Sequence, residues 1–137
     1  MSGGTEHSAD RQRKLFMPPT HNNDRIESLI AKLRKFAKAR DWDQFHSPKN
    51  LAMALAAEVG ELLEIFQWLT PEASANLPPD KLRHVQEEIG DIQIYLARLA
   101  DRLGMDPVMA AEKKLVINRK KYPIEKARGR ATKYTEL

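Results

Sequence analysis

Cysteine is absent from this chain, which excludes a disulfide framework and any thiolate metal site. Long apolar runs are also missing: none approaches the ~20 residues needed to cross a bilayer. The opening stretch, MSGGTEHSADRQRKLFMPPTHNN, lacks the apolar block of a secretory leader. A cytoplasmic protein with no membrane partner is therefore expected. No segment alternates apolar and polar residues as a half-buried strand would. Helix-turn-helix, RNA-binding and zinc-finger signatures are lacking too, so a nucleic-acid polymer is not an expected partner. Aromatics make up only 7% of the residues, so a group of them near one site carries weight.

What is present points to an all-α chain, a helical bundle of four main helices. Residues 1–23 are polar, charged and rich in Gly and Pro, and read as a flexible tail. The domain is expected over residues 24–123, followed by a basic tail over 124–137. Helix one runs Asp24–Arg40, with Ile26, Leu29, Ile30, Leu33 and Phe36–Ala37 on one face. The link DWDQFHSPKN follows, where Ser47 can cap the next helix and Pro48 suits its first position. Helix two continues to about Leu69 and is closed by Thr70-Pro71. Pro78-Pro79-Asp80 introduces helix three, where Leu82, Val85, Ile89, Ile92, Leu96, Leu99 and Leu103 form a heptad seam that predicts packing along its whole length. Gly104 fits a helix stop, Asp106-Pro107 starts helix four, and Tyr122-Pro123 ends it. The net charge of +4 is concentrated in basic residues between Lys113 and Lys133, which suit a solvated face or a counter-charge to phosphate.

The acids break the pattern. Leu51, Leu55, Leu62, Ile65 and Leu69 recur at helical spacing, yet Glu58 falls on that stripe with Glu61 one turn on. Helix three repeats the arrangement: Glu-Val-Gly-Glu at 58–61 is matched by Glu-Ile-Gly-Asp at 88–91. Each pair is spaced i,i+3, so both carboxylates leave one side of their helix. The Gly inside each pair offers room for another helix or a ligand. Four like charges between packed helices repel and are costly to desolvate. A divalent cation removes that cost, and an all-oxygen donor set suits Mg²⁺, with Mn²⁺ as a substitute. The alternative, surface acids paired with Lys or Arg, explains a lone Glu-x-x-Glu but not an acid on the apolar seam repeated on a second helix. A di-iron bundle typically carries Glu-x-x-His on two helices, and here Asp or Glu stands at each equivalent place. Glu64 and Glu87 are expected to face solvent. His84, one turn before Glu88, reads as an exposed histidine and a lesser candidate ligand.

These motifs resemble the all-α nucleotide pyrophosphohydrolases of the MazG-like superfamily, and within it the dCTP pyrophosphatase branch. The segments RDWDQFHSPKNLAMALAAEVGELLEIFQW, EEIGDIQIYLARLA, INRKKYP and KYTEL carry the likeness. The resemblance implies that Glu58, Glu61, Glu88 and Asp91 hold Mg²⁺ against a deoxynucleoside triphosphate, most naturally dCTP or a 5-modified dCTP. Water then attacks the α-phosphorus, releasing a monophosphate and pyrophosphate, in a nucleotide-pool sanitation role. Glu61 is the carboxylate assigned to accept the proton. The link with Trp42 and His46 resembles the family's base-contacting segment. Trp68, seven residues after Glu61 and so ~10 Å along the helix, and Tyr95, four after Asp91, are further candidates for the base pocket. Lys114 and Asn118, four apart on helix four, match a phosphate-contacting pair. Leu33 departs from relatives that carry histidine there, which predicts altered base selectivity. The resemblance also implies a homo-oligomer, a dimer or dimer-of-dimers. The contrasting reading is a non-catalytic helical module that binds a nucleotide or protein and uses the acids structurally.

Overall fold

Capping residues and prolines set where the helices begin. The computed structural model describes residues 22–137 and, among them, contains helices and turns with no strand. The tail expected over residues 1–23 lies outside the described residues except for Asn22 and Asn23, which open α1 (Asn22–Ala39). A single 3₁₀ turn, Asp43–Phe45, leads into α2 (Pro48–Phe66). Next come a one-turn helix α3 (Pro71–Ser74), the long α4 (Pro79–Arg102) and α5 (Pro107–Lys121). The chain ends in α6 (Ile124–Ala127) and a 3₁₀ turn at Tyr134–Glu136.

Ser47 Oγ accepts the Asn50 N–H at 3.2 Å, and Pro48 occupies the first helical position, where no N–H is needed. Asp106 caps α5 by accepting from Val108 at 2.8 Å and Met109 at 3.0 Å. Helix two stops at Phe66, three residues before its expected end. Pro71 holds Thr70 in the extended region, where Thr70 Oγ1 caps α3 by accepting from Ala73 at 3.2 Å. Trp68 therefore stands in the turn beyond α2 rather than on the face that carries Glu61.

Two helices end alike. After α4, Gly104 takes φ +69° while its N–H donates to Asp101 and that of Met105 donates to Ala100, a Schellman closure. After α1, Asp41 takes φ 55° while its N–H donates to Lys38 and that of Trp42 donates to Ala37. The apolar contact that accompanies this motif is Trp42 edge-on to Phe36, with ring centroids 5.7 Å apart. Helix one is thus closed by the residues that start the link.

Helix α4 is the spine, packing against α2 and, to a lesser extent, α1 and α5. The core is thin: Ala37, Leu51, Val85, Ala97 and Ala100 are buried, together with Glu88 and Arg98. The heptad seam divides. Val85 is buried and Ile92 and Leu99 half-buried, whereas Leu82, Ile89, Leu96 and Leu103 are between 40% and 58% exposed. Among the described residues, the seam expected to pack along its whole length packs on one edge only. Its other edge, spaced every seven residues, is an open apolar stripe. Beyond α5, the chain turns back so that Tyr134 meets Tyr122 edge-on at 5.9 Å, with Lys121 Nζ 4.6 Å from the Tyr134 ring centroid. No described helix is long and apolar enough to cross a membrane.

Candidate active site

The pairing of α2 with α4 brings the acids together. Glu58, Glu88 and Asp91 each place a carboxylate oxygen within 4.8 Å of the others. Their exposure is graded: Glu88 is buried, Glu58 half-buried and Asp91 exposed. Glu88 Oε1 lies 3.0 Å from His84 Nε2, while Glu88 Oε2 is buried with no hydrogen-bond partner among the described residues. Leaving such an oxygen unsatisfied costs about 1–3 kcal/mol. Burial, followed by the charges of Glu61, Asp91 and Glu88, pushes the Glu58 carboxyl above its ordinary range. An orphaned buried oxygen among three repelling carboxylates fits a hard divalent cation, because a cation supplies the missing partner and cancels the repulsion.

Glu61 lies outside this triplet. It is exposed and lines an open cleft of about 510 Å³ with Glu64, Ile65, Lys81 and His84. Its charge still acts on Glu58. Glu64 and Glu87 face solvent as expected, and His84 is exposed while holding one oxygen of Glu88. Gly60 and Gly90 do not mark a close helix approach within the chain: a Cβ at either would meet no atom within 4 Å. The space inside both acid pairs is open.

A second group forms at the other end of α4. Trp42 is 42% exposed and its ring meets that of His46 edge-on at 6.2 Å, so the structure unites these two residues of the link. Trp68, 87% exposed, joins neither group. Tyr95 is half-buried one turn beyond Asp91 on α4, and on α5 Lys114 is exposed and Asn118 half-buried. The link is held by a residue that periodicity does not single out. Arg98, 5% exposed, pairs with Asp43 and donates from Nε to His46 Nδ1 at 3.2 Å. Its Nη1 is 3.4 Å from Asp101 Oδ2, and Asp101 is also gripped by Arg34, whose Nε donates at 2.9 Å. Arg34 holds the Asp101 carboxyl below the ordinary range against the opposing effect of burial. Arg98 shares the buried face with Ala97 and Ala100 but lies off the apolar seam, so spacing gives no signal for it.

Comparisons with known proteins identify the family. The MazG-like family model matches residues 53–137. The chain is 42% identical to dCTP pyrophosphatase 1 of Mus musculus over 98% of this chain and 78% of that protein. It is 47% identical to the Bos taurus protein of the same name over 82% of this chain and 68% of that one. Among solved structures, a pyrophosphatase from Archaeoglobus fulgidus superposes with a TM-score of 0.69 at 38% identity, covering 77% of this chain and 99% of that one. The acid pairs, the helical architecture and these matches lead to one conclusion: the chain belongs to the MazG-like family.

Proposed function

We infer that this chain hydrolyses a nucleoside triphosphate to a monophosphate and pyrophosphate, with Mg²⁺ as the cation and dCTP or a 5-modified dCTP as the substrate. The observation that carries the reading is the buried carboxylate of Glu88, one oxygen unpartnered, converging with Glu58 and Asp91. Such an arrangement is costly for a purely structural site and useful for one that receives a cation. The bound cation would supply neutralisation of the phosphate oxygens and activation of water. Glu58, Glu88 and Asp91 would hold it, with Glu61 as a fourth ligand from the rim. Glu61 is open to the cleft and outside the triplet, which supports it as the carboxylate that accepts a proton from water.

The nucleotide is oriented by groups on four segments: the link, the turn beyond α2, α4 and α5. Trp42 and His46 form one wall for the base, with Trp68 and Tyr95 as further contacts; an aromatic face gains stacking energy from any base. Lys114 and Asn118 on α5 supply a cation and an amide for the phosphates. The preference for dCTP draws support from the relatives named dCTP pyrophosphatase 1. The open stripe of Leu82, Ile89, Leu96 and Leu103 supports a homo-oligomer, because a second copy would remove it from water.

Incubation with each dNTP and with 5-methyl-dCTP in Mg²⁺ tests the reading. Monophosphate and pyrophosphate should appear in equal amounts, fastest with a cytosine base. Orthophosphate as the first product, or no turnover, would remove the proposed reaction.

A further inference from the structure

An arginine guanidinium is charged at every accessible pH and carries donors only. Arg98 is buried nonetheless, and each of its nitrogens is engaged: Nη2 with Asp43, Nη1 with Asp101, and Nε with His46 Nδ1. The last contact has a chemical consequence. Because Nε–H can only donate, His46 Nδ1 must accept and carries no proton. The proton of the neutral ring then sits on Nε2. An imidazolium would set one N–H against another. The same helix holds the backbone of His46, whose carbonyl accepts from Arg102 Nε at 3.1 Å.

We propose that Arg98 is a positioning residue for the nucleotide base: it locks the Trp42–His46 link onto α4 and fixes His46 as a neutral ring whose one N–H donor is Nε2. A ring in this state recognises an acceptor, a carbonyl oxygen or unprotonated ring nitrogen on the base edge. This rests on the reading that the link contacts the nucleotide. Three charged groups face His46: Arg98 and Arg102 from α4 and Asp43 from the 3₁₀ turn. Burial and the two arginines push its pKa below the usual histidine range, and Asp43 opposes them. The neutral form is therefore the stable one around neutral pH.

Nitrogen-15 NMR of the histidine rings in the full chain tests the inference without a variant. At neutral pH His46 should show an unprotonated Nδ1 and a protonated Nε2. Arg98→Lys keeps a positive charge beside Asp43 and Asp101 but loses Nε. In it the ring should populate both tautomers and titrate nearer the usual range. The KM for the nucleotide should rise about tenfold, one hydrogen bond's worth, with kcat within about twofold. On acidification, the rise in KM should begin at higher pH in the variant than in the unsubstituted protein. A proton on Nδ1 of the unsubstituted protein would overturn the inference, as would an unchanged KM in Arg98→Lys. The two failures are separable: no turnover by the unsubstituted protein removes the proposed function, whereas a wrong tautomer in an active protein removes only the role of Arg98.

Discussion

The two halves of α4 bury opposite charges in opposite ways. Toward the N-terminal half, Glu88 is buried with one oxygen unpaired and two further carboxylates at hand. Toward the C-terminal end, Arg98 is buried with all its nitrogens engaged, and its partner Asp101 is itself held by Arg34. A buried charge is tolerated only when compensated. The C-terminal half is compensated within the chain and so acts as framework. The N-terminal half leaves its compensation to something that binds.

Glu88→Gln removes the uncompensated charge of the N-terminal half. Turnover should fall by more than about a hundredfold, since even outer partners of a metal site are worth 10–100-fold. The melting temperature without added cation should not fall, because a repelling charge has been removed. Mg²⁺ should raise the melting temperature of the unsubstituted protein and leave that of the variant unchanged. Near-normal turnover would take Glu88 out of the site. The mirror experiment is Arg98→Met, which strands Asp43 and leaves Asp101 to Arg34 alone. Denaturant unfolding should show a loss of about 3 kcal/mol, the lower end for breaking a buried pair because Asp43 stays half exposed. A loss under about 1 kcal/mol would show that the network is not framework.

Acid sharpens the same contrast. The folded pKa of Asp101 lies below the usual 3.8, chiefly through Arg34. Its contribution to stability is fully present above that usual value and is lost as pH falls through the folded one. Melting temperatures measured across this acid range should fall less steeply for Asp101→Asn than for the unsubstituted protein, while the two should run parallel above about pH 5. The smallest effect concerns the open space at Gly90. Gly90→Ala should stabilise the isolated chain by about 0.5–1 kcal/mol through helix propensity. A destabilised variant would mean that another molecule or a second copy enters that space.

Local chemistry made much of this legible. Ser47-Pro48, Asp106-Pro107 and Gly104 mark helix ends because caps and prolines act on their own turn. The acid pairs were visible because each lies within one helical turn, and two similar turns imply one meeting point. Helical spacing alone carries Trp68 onto α2, but Thr70 does not close that helix: its side chain caps the next one, and α2 ends at Phe66. Spacing makes the seam of α4 a single surface, yet Leu82, Ile89, Leu96 and Leu103 form a separate edge. Periodicity identifies apolar faces without saying which chain covers them. Arg98 stayed hidden because its partners Asp43 and His46 lie more than fifty residues away, and no spacing rule connects them.

The left-handed turn at Asp41 has a consequence of another kind. With Asp41 closing α1, Arg98 and Arg102 gripping Asp43 and His46, and Asn50 Nδ2 donating to the Phe45 carbonyl at 2.9 Å, the link is tied at both ends and in the middle. Connecting segments usually tolerate changes of length because their backbone is free. This one has no slack. Substitution of the exposed Phe45 side chain leaves the ties in place, whereas one residue inserted or deleted between Asp41 and Ser47 shifts every tie at once. In its tolerance of length the link behaves as part of the core, although it is a loop by topology.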